Sequence, residues 1–423
     1  MYTFTKTDLA LSNTNKLKIF NDPIYGFITI PNSLIYDLIQ HPYFQRLRRI
    51  TQMGLSYLVY PGAHHTRFHH AIGAMHIMQK AIEVLRYKEV VISKEEENAL
   101  YIAILLHDIG HGPFSHAMEH SIVEEVNHEQ ISLLFMNKLN LEFDGQLSLA
   151  IQIFKGEYHR KFMLQLISSQ LDMDRMDYLK RDSFYSGVAE GNINSDRLIQ
   201  MINVVDGALV MEEKGIYSIE KFLMARRLMY WQTYLHKTSL VAELTLTKAL
   251  QRAKELFNKG IEIECSSSLK YFMEHKITLE NFSNNDLDKF AQLDDFDIIS
   301  ALKNWQYHTD FILSSLSKMI INRDLSKIKL NSEKFPVEVL EKMTIRFIKE
   351  HNITQQEAKY FIFKGKIKNQ AYSKDAEPIR ILKKDKTIED VVEASDQLNL
   401  KALSKPVTKY FICFPKQLEE LYH

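Results

Sequence analysis

Glycine and proline are scarce in this chain, and that scarcity constrains its fold more than any other feature of the sequence. The 423 residues include 14 glycines and 9 prolines. Long stretches repeat apolar residues at positions i, i+3 and i+4, which is the spacing of one helix face. Because helix interiors exclude proline and disfavour glycine, both features favour helices. We therefore predict a mainly α-helical protein.

The apolar pattern changes near residues 255–265. We predict an α-helical domain over residues 1–258, with a short β arm near residues 22–30 at its start. A smaller α+β domain is predicted over residues 259–423, because its last part alternates β-rich segments with polar turns. The sequence leaves open whether this second domain forms an oligomer interface, holds an effector or braces the first.

Helix start and stop signals divide the first region further. We predict helices over residues 33–53 (kinked near Pro42), 66–87 and 94–108, and a capping-box pattern, Ser169-x-x-Asp172, predicts another. The later predictions are one long helix or two abutting helices over residues 218–258, and strands over residues 359–366, 378–382 and 409–414.

Composition excludes several classes of function. The 53 basic residues balance the 53 acidic residues, which argues against general electrostatic capture of nucleic acid or anionic membranes. Lysines at residues 364–386 are interpreted as edge-strand protection, with a nucleic acid contact as the alternative. Cys265 and Cys413 are too few for a disulfide framework, and no apolar run approaches the roughly 18 residues of a membrane span. The first residues lack the pattern of a signal peptide. We predict a cytoplasmic protein without membrane contact.

Histidine shows where the chemistry lies, because eleven of the 17 histidines fall between His41 and His128. Histidine and aspartate concentrate in four segments, and none of these segments contains cysteine. Imidazole nitrogens and carboxylate oxygens without thiolates suit a divalent ion such as Mn, Fe, Ni, Zn or Mg. The four segments are residues 65–70, 107–116, 127–129 and 172–178.

The adjacent pair His107-Asp108 lies at the end of a predicted apolar helix, just before a Gly-Pro turn. Neighbouring helical residues point about 100° apart, so both side chains can bind one ion placed at the helix end. A buried His-Asp pair with neither a metal nor another partner would be costly to desolvate. The pair therefore indicates a metal site.

The chain resembles the HD-domain metal-dependent phosphohydrolases, in particular the branch of deoxynucleoside triphosphate triphosphohydrolases. The resemblance covers about residues 20–250, with its motifs in the family's order. It implies an HD-domain helical bundle. The matching segments are DPIYGFITI, FQRLRRITQMG, YPGAHHTRFHHAIG, LLHDIGHGPFSHAMEH, NHEQIS and DMDRMDYLKRDSFYSG.

The resemblance implies a metal site and the catalytic groups around it. The implied ligands, two histidines and two aspartates, bind one divalent ion per subunit, and a Mg ion accompanies the nucleotide. The catalytic candidates are three histidines near the phosphates and one acidic partner, a glutamate where the family usually has aspartate. The ligands are His70, His107, Asp108 and Asp174, and the catalytic candidates are His111, His116, Glu119 and His128.

The negative charge of three phosphates requires cations held in fixed places, and a sugar requires polar groups beside it. The resemblance supplies candidates for both tasks. It also supplies two positions that match an effector site of regulated relatives, although a structural role in the helix is the favoured interpretation of their segment. The phosphate candidates are Arg67, Arg175, Arg226 and Lys237; the sugar or base candidates are Gln52, Tyr178, Asp182 and Tyr234; the effector candidates are Gln45 and Arg48.

Three functions follow as alternatives. The leading one is hydrolysis of a deoxynucleoside triphosphate (dNTP) to a deoxynucleoside and tripolyphosphate. The second keeps the metal site but acts on another phosphoester, namely a nucleoside monophosphate, a cyclic nucleotide or an oligonucleotide, because a fold does not fix a substrate. The third is a nucleotide-binding regulator with little turnover. The resemblance also implies a homo-oligomer, either a dimer or a tetramer.

Overall fold

A computed structural model describes residues 18–114, 126–373, 376–396 and 403–422. A short antiparallel hairpin opens this part of the chain, with strands β1 (Ile19–Asp22) and β2 (Gly26–Thr29). Gly26 turns the hairpin with φ of +74°, a conformation that glycine adopts without strain.

The first region is helical, and the largely buried helix α3 packs against α4 and α8. These contacts bring the start of α3, the end of α4 and the start of α8 to one place. The helices are α1 (Ser33–Gln40), α2 (Pro42–Gln45), α3 (Arg67–Tyr87), α4 (Lys94–Leu106), α5 (His128–Glu142), α6 (Ser148–Phe154), α7 (Lys161–Ile167), α8 (Met173–Ser186), α9 (Ser195–Gln200), α10 (Ile216–Met229) and α11 (Lys237–Asn258).

The second region mixes helices with short strands, so the predicted class, mainly α with an α+β C-terminal region, is confirmed. Its helices are α12 (Ser267–Glu274), α13 (Asn284–Phe290), α14 (Asp295–Trp305), α15 (Phe311–Ile321), α16 (Val337–His351), α17 (Gln355–Ala358) and α18 (Val391–Ala394). Its strands are β5 (Lys327–Asn331), β6 (Phe363–Asn369), β7 (Arg380–Leu382), β8 (Ile388–Asp390) and β9 (Val407–Phe414).

A four-stranded sheet contains strands from both regions. The hairpin of β3 (Ile202–Val205) and β4 (Ala208–Glu212) was not predicted, and β4 pairs in parallel with β7 to give the order β3-β4-β7-β8. The other C-terminal strands form an antiparallel sheet in the order β5-β9-β6. The domain boundary at residue 258 stays a prediction, and the described elements on its two sides share a sheet.

Two predicted helices differ from the observed ones, and for a third stretch the structure selects one of the two predicted alternatives. The helix predicted over residues 33–53 ends at Gln40, because the residue before Pro42 is extended, with ψ of 138° at His41. The helix predicted to open at Ser169 begins at Met173, with Asp172 as its N-cap. The stretch 218–258 forms two helices, α10 and α11, joined by a widened π-type turn at Tyr230–Tyr234.

Candidate metal centre and substrate cavity

Three helix ends carry the four predicted metal ligands. His70 lies in the first turn of α3, and His107 and Asp108 directly follow α4. Asp174 lies in the first turn of α8, whose start is fixed by Asp172, because its side chain accepts a hydrogen bond from the amide of Arg175. Each ligand is therefore held by a helix end rather than by a free loop.

The four side chains converge on one point. The Nε2 atoms of His70 and His107 lie 3.0 Å and 3.4 Å from Oδ1 of Asp174. Asp108 Oδ1 lies 3.4 Å from His107 Nε2, and Asp108 Oδ2 lies 3.8 Å from His70 Nε2. Two nitrogens and two carboxylates thus surround a space the size of an ion.

These residues fit a divalent cation. Within the described ranges, neither Nε2 atom makes a hydrogen bond, although both are buried. A buried polar atom without a hydrogen bond is costly, and a cation at the point between His70, His107 and Asp174 would remove that cost. Imidazole nitrogens and carboxylate oxygens without thiolates suit several divalent ions.

A chain of buried charges orients His70 from behind. His70 Nδ1 lies 2.8 Å from Asp177 Oδ2, which leaves the lone pair of a neutral imidazole at Nε2 for the metal. Arg181 donates to both oxygens of Asp177 at 2.9 Å, and through Nη1 to Asp22 at 2.7 Å. Gly73 makes room for the pair, because a Cβ there would overlap both side chains.

Hydrogen bonds also fix the His107-Asp108 turn. His107 Nδ1 lies 2.6 Å from the carbonyl oxygen of Ile104. The buried hydroxyl of Ser132 donates to the carbonyl of His107 at 2.7 Å and accepts from the amide of Gly110 at 2.9 Å. Ser132 belongs to α5, so these two hydrogen bonds link the turn to α5.

Replacing Ser132 by Ala should lower the free energy of unfolding by about 2–3 kcal/mol, because two buried backbone groups lose their partner. Denaturant titration measures this value. Ser317→Ala is the matched control: Ser317 is equally buried but donates only to the carbonyl of Leu313 in its own helix. The control should lose less than about 1 kcal/mol. Equal losses in the two variants would contradict the assigned role of Ser132.

Electrostatics favour charge on the imidazoles of the metal-free site. Burial opposes a charge on His70, but Asp174 and Asp177 outweigh burial and raise the pKa of His70 to about 10. Burial also opposes a charge on His107, and Asp108 and Asp174 raise its pKa to about 9. A metal-binding imidazole must be neutral, so the binding of a cation releases these protons.

Two further histidines stack beside the centre. The rings of His111 and His128 lie 3.9 Å apart and nearly parallel, and His111 Nε2 is 3.2 Å from Asp108 Oδ1. Burial, followed by the nearby Arg67, lowers the pKa of His111 to about 3. His111 is therefore neutral at neutral pH, and its low pKa makes it a poor proton acceptor but leaves it able to donate or accept a hydrogen bond.

A cavity of about 250 Å³ opens next to the centre. Arg67 joins the two, because it lines the cavity and donates from Nη1 to Asp108 Oδ2 at 2.6 Å. The cavity contains five of the predicted substrate-binding residues. Its polar lining includes Gln52, Arg67, Tyr178, Asp182, Tyr230, Tyr234, Ser239 and Glu243.

A carboxylate on the cavity wall is held from two sides. Asp182 Oδ1 lies 2.7 Å from His65 Nε2, and Asp182 Oδ2 accepts a hydrogen bond from the Tyr234 hydroxyl at 2.7 Å. Burial raises the pKa values of Tyr178 and Tyr234 above the usual tyrosine value, so both hydroxyls remain donors. The wall offers fixed donors and acceptors of the kind that a sugar requires.

The remaining phosphate candidates are not among the residues that line this cavity. Arg175 donates from Nε to the carbonyl of Ser169 at 2.6 Å, and its Nη1 lies 3.5 Å from the Tyr178 hydroxyl. Arg226 donates to the carbonyl of Ala371 at 3.1 Å. Lys237 lines a second cavity of about 380 Å³, together with Arg323, Lys327, Lys329 and Lys416.

The effector candidates contact each other. Arg48 donates to Gln45 Oε1 at 2.9 Å, and its guanidinium lies 3.5 Å from the centre of the Phe68 ring. The remaining catalytic candidates, His116 and Glu119, lie outside the described residues, as does Lys374.

Sequence reasoning assigned no role to His65 or Ser132. His65 lies in a motif that carries the family resemblance, whereas the sequence signal for Asp177 is its position three residues after Asp174 on one helix face. Ser132 gives no signal of this kind, because its partners lie 22 and 25 residues earlier.

Comparisons with known proteins identify the same segments. A family model described as HD domain matches residues 67–182, and one described as HD associated region matches residues 193–270. In the described ranges, each helix is too short or too polar to cross a membrane.

Three relatives illustrate the similarity. A Bacillus subtilis protein named uncharacterized protein YwfO is 34% identical over 319 residues, which cover 73% of this chain and 71% of the relative. The deoxynucleoside triphosphate triphosphohydrolase SAMHD1 homolog of Dictyostelium discoideum is 29% identical, covering 82% of this chain and 74% of the relative. A crystal structure described as a phosphohydrolase from Bacteroides thetaiotaomicron is 51% identical, covering 95% of this chain and 100% of that one, with a TM-score of 0.91.

Proposed function

The chain belongs to the HD-domain phosphohydrolase family, and on that basis we propose that it hydrolyses deoxynucleoside triphosphates to a deoxynucleoside and tripolyphosphate. Family membership makes it a metal-dependent phosphohydrolase. The substrate and the bond that breaks are the proposal. Support comes from the Dictyostelium relative, whose name states this activity.

One observation carries the proposal: a cavity with a polar wall lies beside the metal centre, and two of its lining residues contact metal ligands. Arg67 lines the cavity and contacts Asp108, while Tyr178 lines the cavity and lies against His70, with ring centres 6.4 Å apart. A deoxynucleoside beside Asp182 and Tyr234 would therefore have its 5′ end, and so its first phosphate, at the centre.

The residues divide the reaction into separate tasks. His70, His107, Asp108 and Asp174 would hold a divalent cation, which would supply Lewis-acid chemistry to the phosphate beside it. Arg67 places a fixed positive charge next to the phosphates, and the neutral His111 can donate a hydrogen bond to a phosphate oxygen there. We assign protonation of the leaving 5′-oxygen to His116, supported by Glu119.

Product analysis tests this function. The metal-stripped protein is given Mn(II) and each of the four dNTPs, and products are followed by phosphorus NMR. We expect a tripolyphosphate signal and no nucleoside monophosphate. Orthophosphate or a mononucleotide as product would favour the alternative of another phosphoester substrate. Tight nucleotide binding without any product would favour the regulator alternative.

Replacing Tyr234 by Phe should raise KM for a dNTP roughly tenfold and change kcat less, because the variant loses one hydrogen bond on the sugar wall but no group at the metal. Steady-state kinetics measure both constants. The exposed Tyr307, replaced by Phe, is the control. An unchanged KM in Tyr234→Phe would remove Tyr234 from the binding site.

We also propose Mn(II) as the ion that supports turnover, and Mg(II) as the ion bound to the nucleotide. The donor set supports this choice, because nitrogen and carboxylate ligands accept manganese while nucleotide phosphates accept magnesium. The homo-oligomeric state and the cytoplasmic location stay predictions.

A further inference from the structure

The segment Leu293–Asp295 joins the C-terminal region to the catalytic region. Arg46 is fully buried and donates from Nη2 to the carbonyl of Ile109 at 2.7 Å, and from Nη1 to the carbonyl of Leu293 at 3.2 Å. Arg49 pairs with Asp294. The segment thus lies against the turn that follows His107-Asp108.

Asp295, at the start of α14, contacts the catalytic region through three hydrogen bonds. Its Oδ2 accepts hydrogen bonds from the amide of Thr51 at 2.8 Å and from the hydroxyl of the same residue at 2.7 Å. Its Oδ1 accepts from the amide of Phe114 at 3.1 Å. Asp295 is 6% exposed, and burial raises its pKa to about 6. A buried carboxyl that accepts three hydrogen bonds is a fixed anchor.

Thr51 and Phe114, the two residues that Asp295 binds, lie next to and in two walls of the substrate cavity. Phe114 lines the cavity, and Thr51 precedes Gln52, which also lines it. Phe114 has φ of +49°, a left-handed conformation that costs a bulky residue energy and persists only where neighbouring contacts hold it. The amide that Asp295 binds is the amide of this strained residue.

We propose that Asp295 is a positioning residue of the hydrolase, which holds the Gln52 and Phe114 walls of the substrate cavity at their working distance. The proposal rests on the proposed function only in taking this cavity as the nucleotide site. Asp295 touches neither the metal ligands nor the cavity itself. Through it, the C-terminal region helps to set the shape of a site that the first region carries.

The substitution Asp295→Asn tests this role because it keeps the shape of the side chain. Each carboxylate oxygen accepts from a backbone amide, one at Thr51 and one at Phe114. An asparagine has only one acceptor oxygen, and its NH₂ group would face the other amide. In either orientation the variant therefore releases one of the two walls.

Asp310→Asn is the matched control. Asp310 caps α15 in the same C-terminal region, and it also anchors that region to the first one, by accepting from Arg252 Nε at 3.1 Å and Nη2 at 2.6 Å. Its partner Arg252 lies towards the far end of α11, beyond the last cavity residue of that helix, Leu246. The control reports the effect of weakening the junction without touching the cavity walls.

For Asp295→Asn with Mn(II), we expect KM for a dNTP to rise about tenfold, because the released wall must be ordered again when the nucleotide binds, at a cost of roughly 1.4 kcal/mol. Metal content should equal that of the wild type, and kcat should change less than threefold. Asp310→Asn should keep the wild-type KM. Equal KM values in the two variants would overturn the proposal and leave Asp295 a purely structural residue.

Hydrogen exchange separates this inference from the proposed function. In Asp295→Asn, amides in residues 50–54 or 109–114 should exchange at least tenfold faster than in the wild type and in Asp310→Asn. Unchanged exchange in both segments would overturn the positioning role. If the wild type hydrolysed no dNTP, the proposed function would fail, and the exchange result alone would decide the role of Asp295.

Discussion

Replacing Asp174 by Ala should remove the bound metal and lower phosphohydrolase turnover by at least roughly a thousandfold. Asp174 Oδ1 lies between the Nε2 atoms of His70 and His107, at 3.0 Å and 3.4 Å. Without that carboxylate, two nitrogens and Asp108 remain as ligands. The site loses one of its two negatively charged ligands, so its affinity for the cation falls steeply.

Metal analysis of the purified variant and assays over a range of added Mn(II) measure this effect. Asp196→Ala is the control. Asp196 lies on α9, forms an exposed ion pair with Lys80 of α3, and is not part of the substrate cavity lining. The control should keep both metal and turnover. Wild-type metal content and full activity in Asp174→Ala would remove Asp174 from the ligand set.

Replacing Gly73 by Ala should lower the free energy of unfolding by about 3–5 kcal/mol, the range for a broken buried ion pair. The new Cβ would overlap Arg181 Nη2 and Asp177 Oδ1. Neither side chain can retreat cheaply, because both are fully buried, Arg181 is bound to Asp22 and Asp177 to His70. Metal content should also fall, because Asp177 orients His70.

Denaturant titration of the metal-free protein measures the loss, so that metal binding does not add to stability. Gly207→Ala is the control. Its φ of +74° costs about 1 kcal/mol with a side chain, but a Cβ there meets no atom within 4 Å. A loss of unfolding free energy in Gly73→Ala no larger than that in Gly207→Ala, together with wild-type metal content, would contradict this account. It would mean that the buried Asp177–Arg181 pair tolerates a side chain at residue 73.

Local signals in the sequence were sufficient to predict the helices that carry the metal ligands. The structure confirms α3, predicted from Thr66 to Tyr87, and it places the end of α4 two residues before the predicted one. The four proposed ligands lie at the ends of helices that have strong local signals, and the packing of α3 against α4 and α8 brings those ends together. Their assignment as ligands stays a prediction until the variants are made.

Contacts distant in sequence could not be predicted in this way. Asp295 binds an amide 181 residues earlier, and β4 pairs with a strand about 170 residues later, so no local pattern marks either contact. The β3–β4 hairpin was a different kind of miss. Asp206-Gly207 between alternating apolar residues is a strong hairpin signal, and both residues have positive φ as such turns require.

The central claim is that water attacks the first phosphorus of a dNTP at this centre. Hydrolysis in ¹⁸O-labelled water tests this claim most directly. Mass spectrometry of the products from the Mn(II)-loaded protein should find one ¹⁸O atom in tripolyphosphate and none in the deoxynucleoside. The Asp174→Ala protein should form neither product. Label in the 5′-hydroxyl of the deoxynucleoside, or in orthophosphate released from the far end of the substrate, would contradict the account.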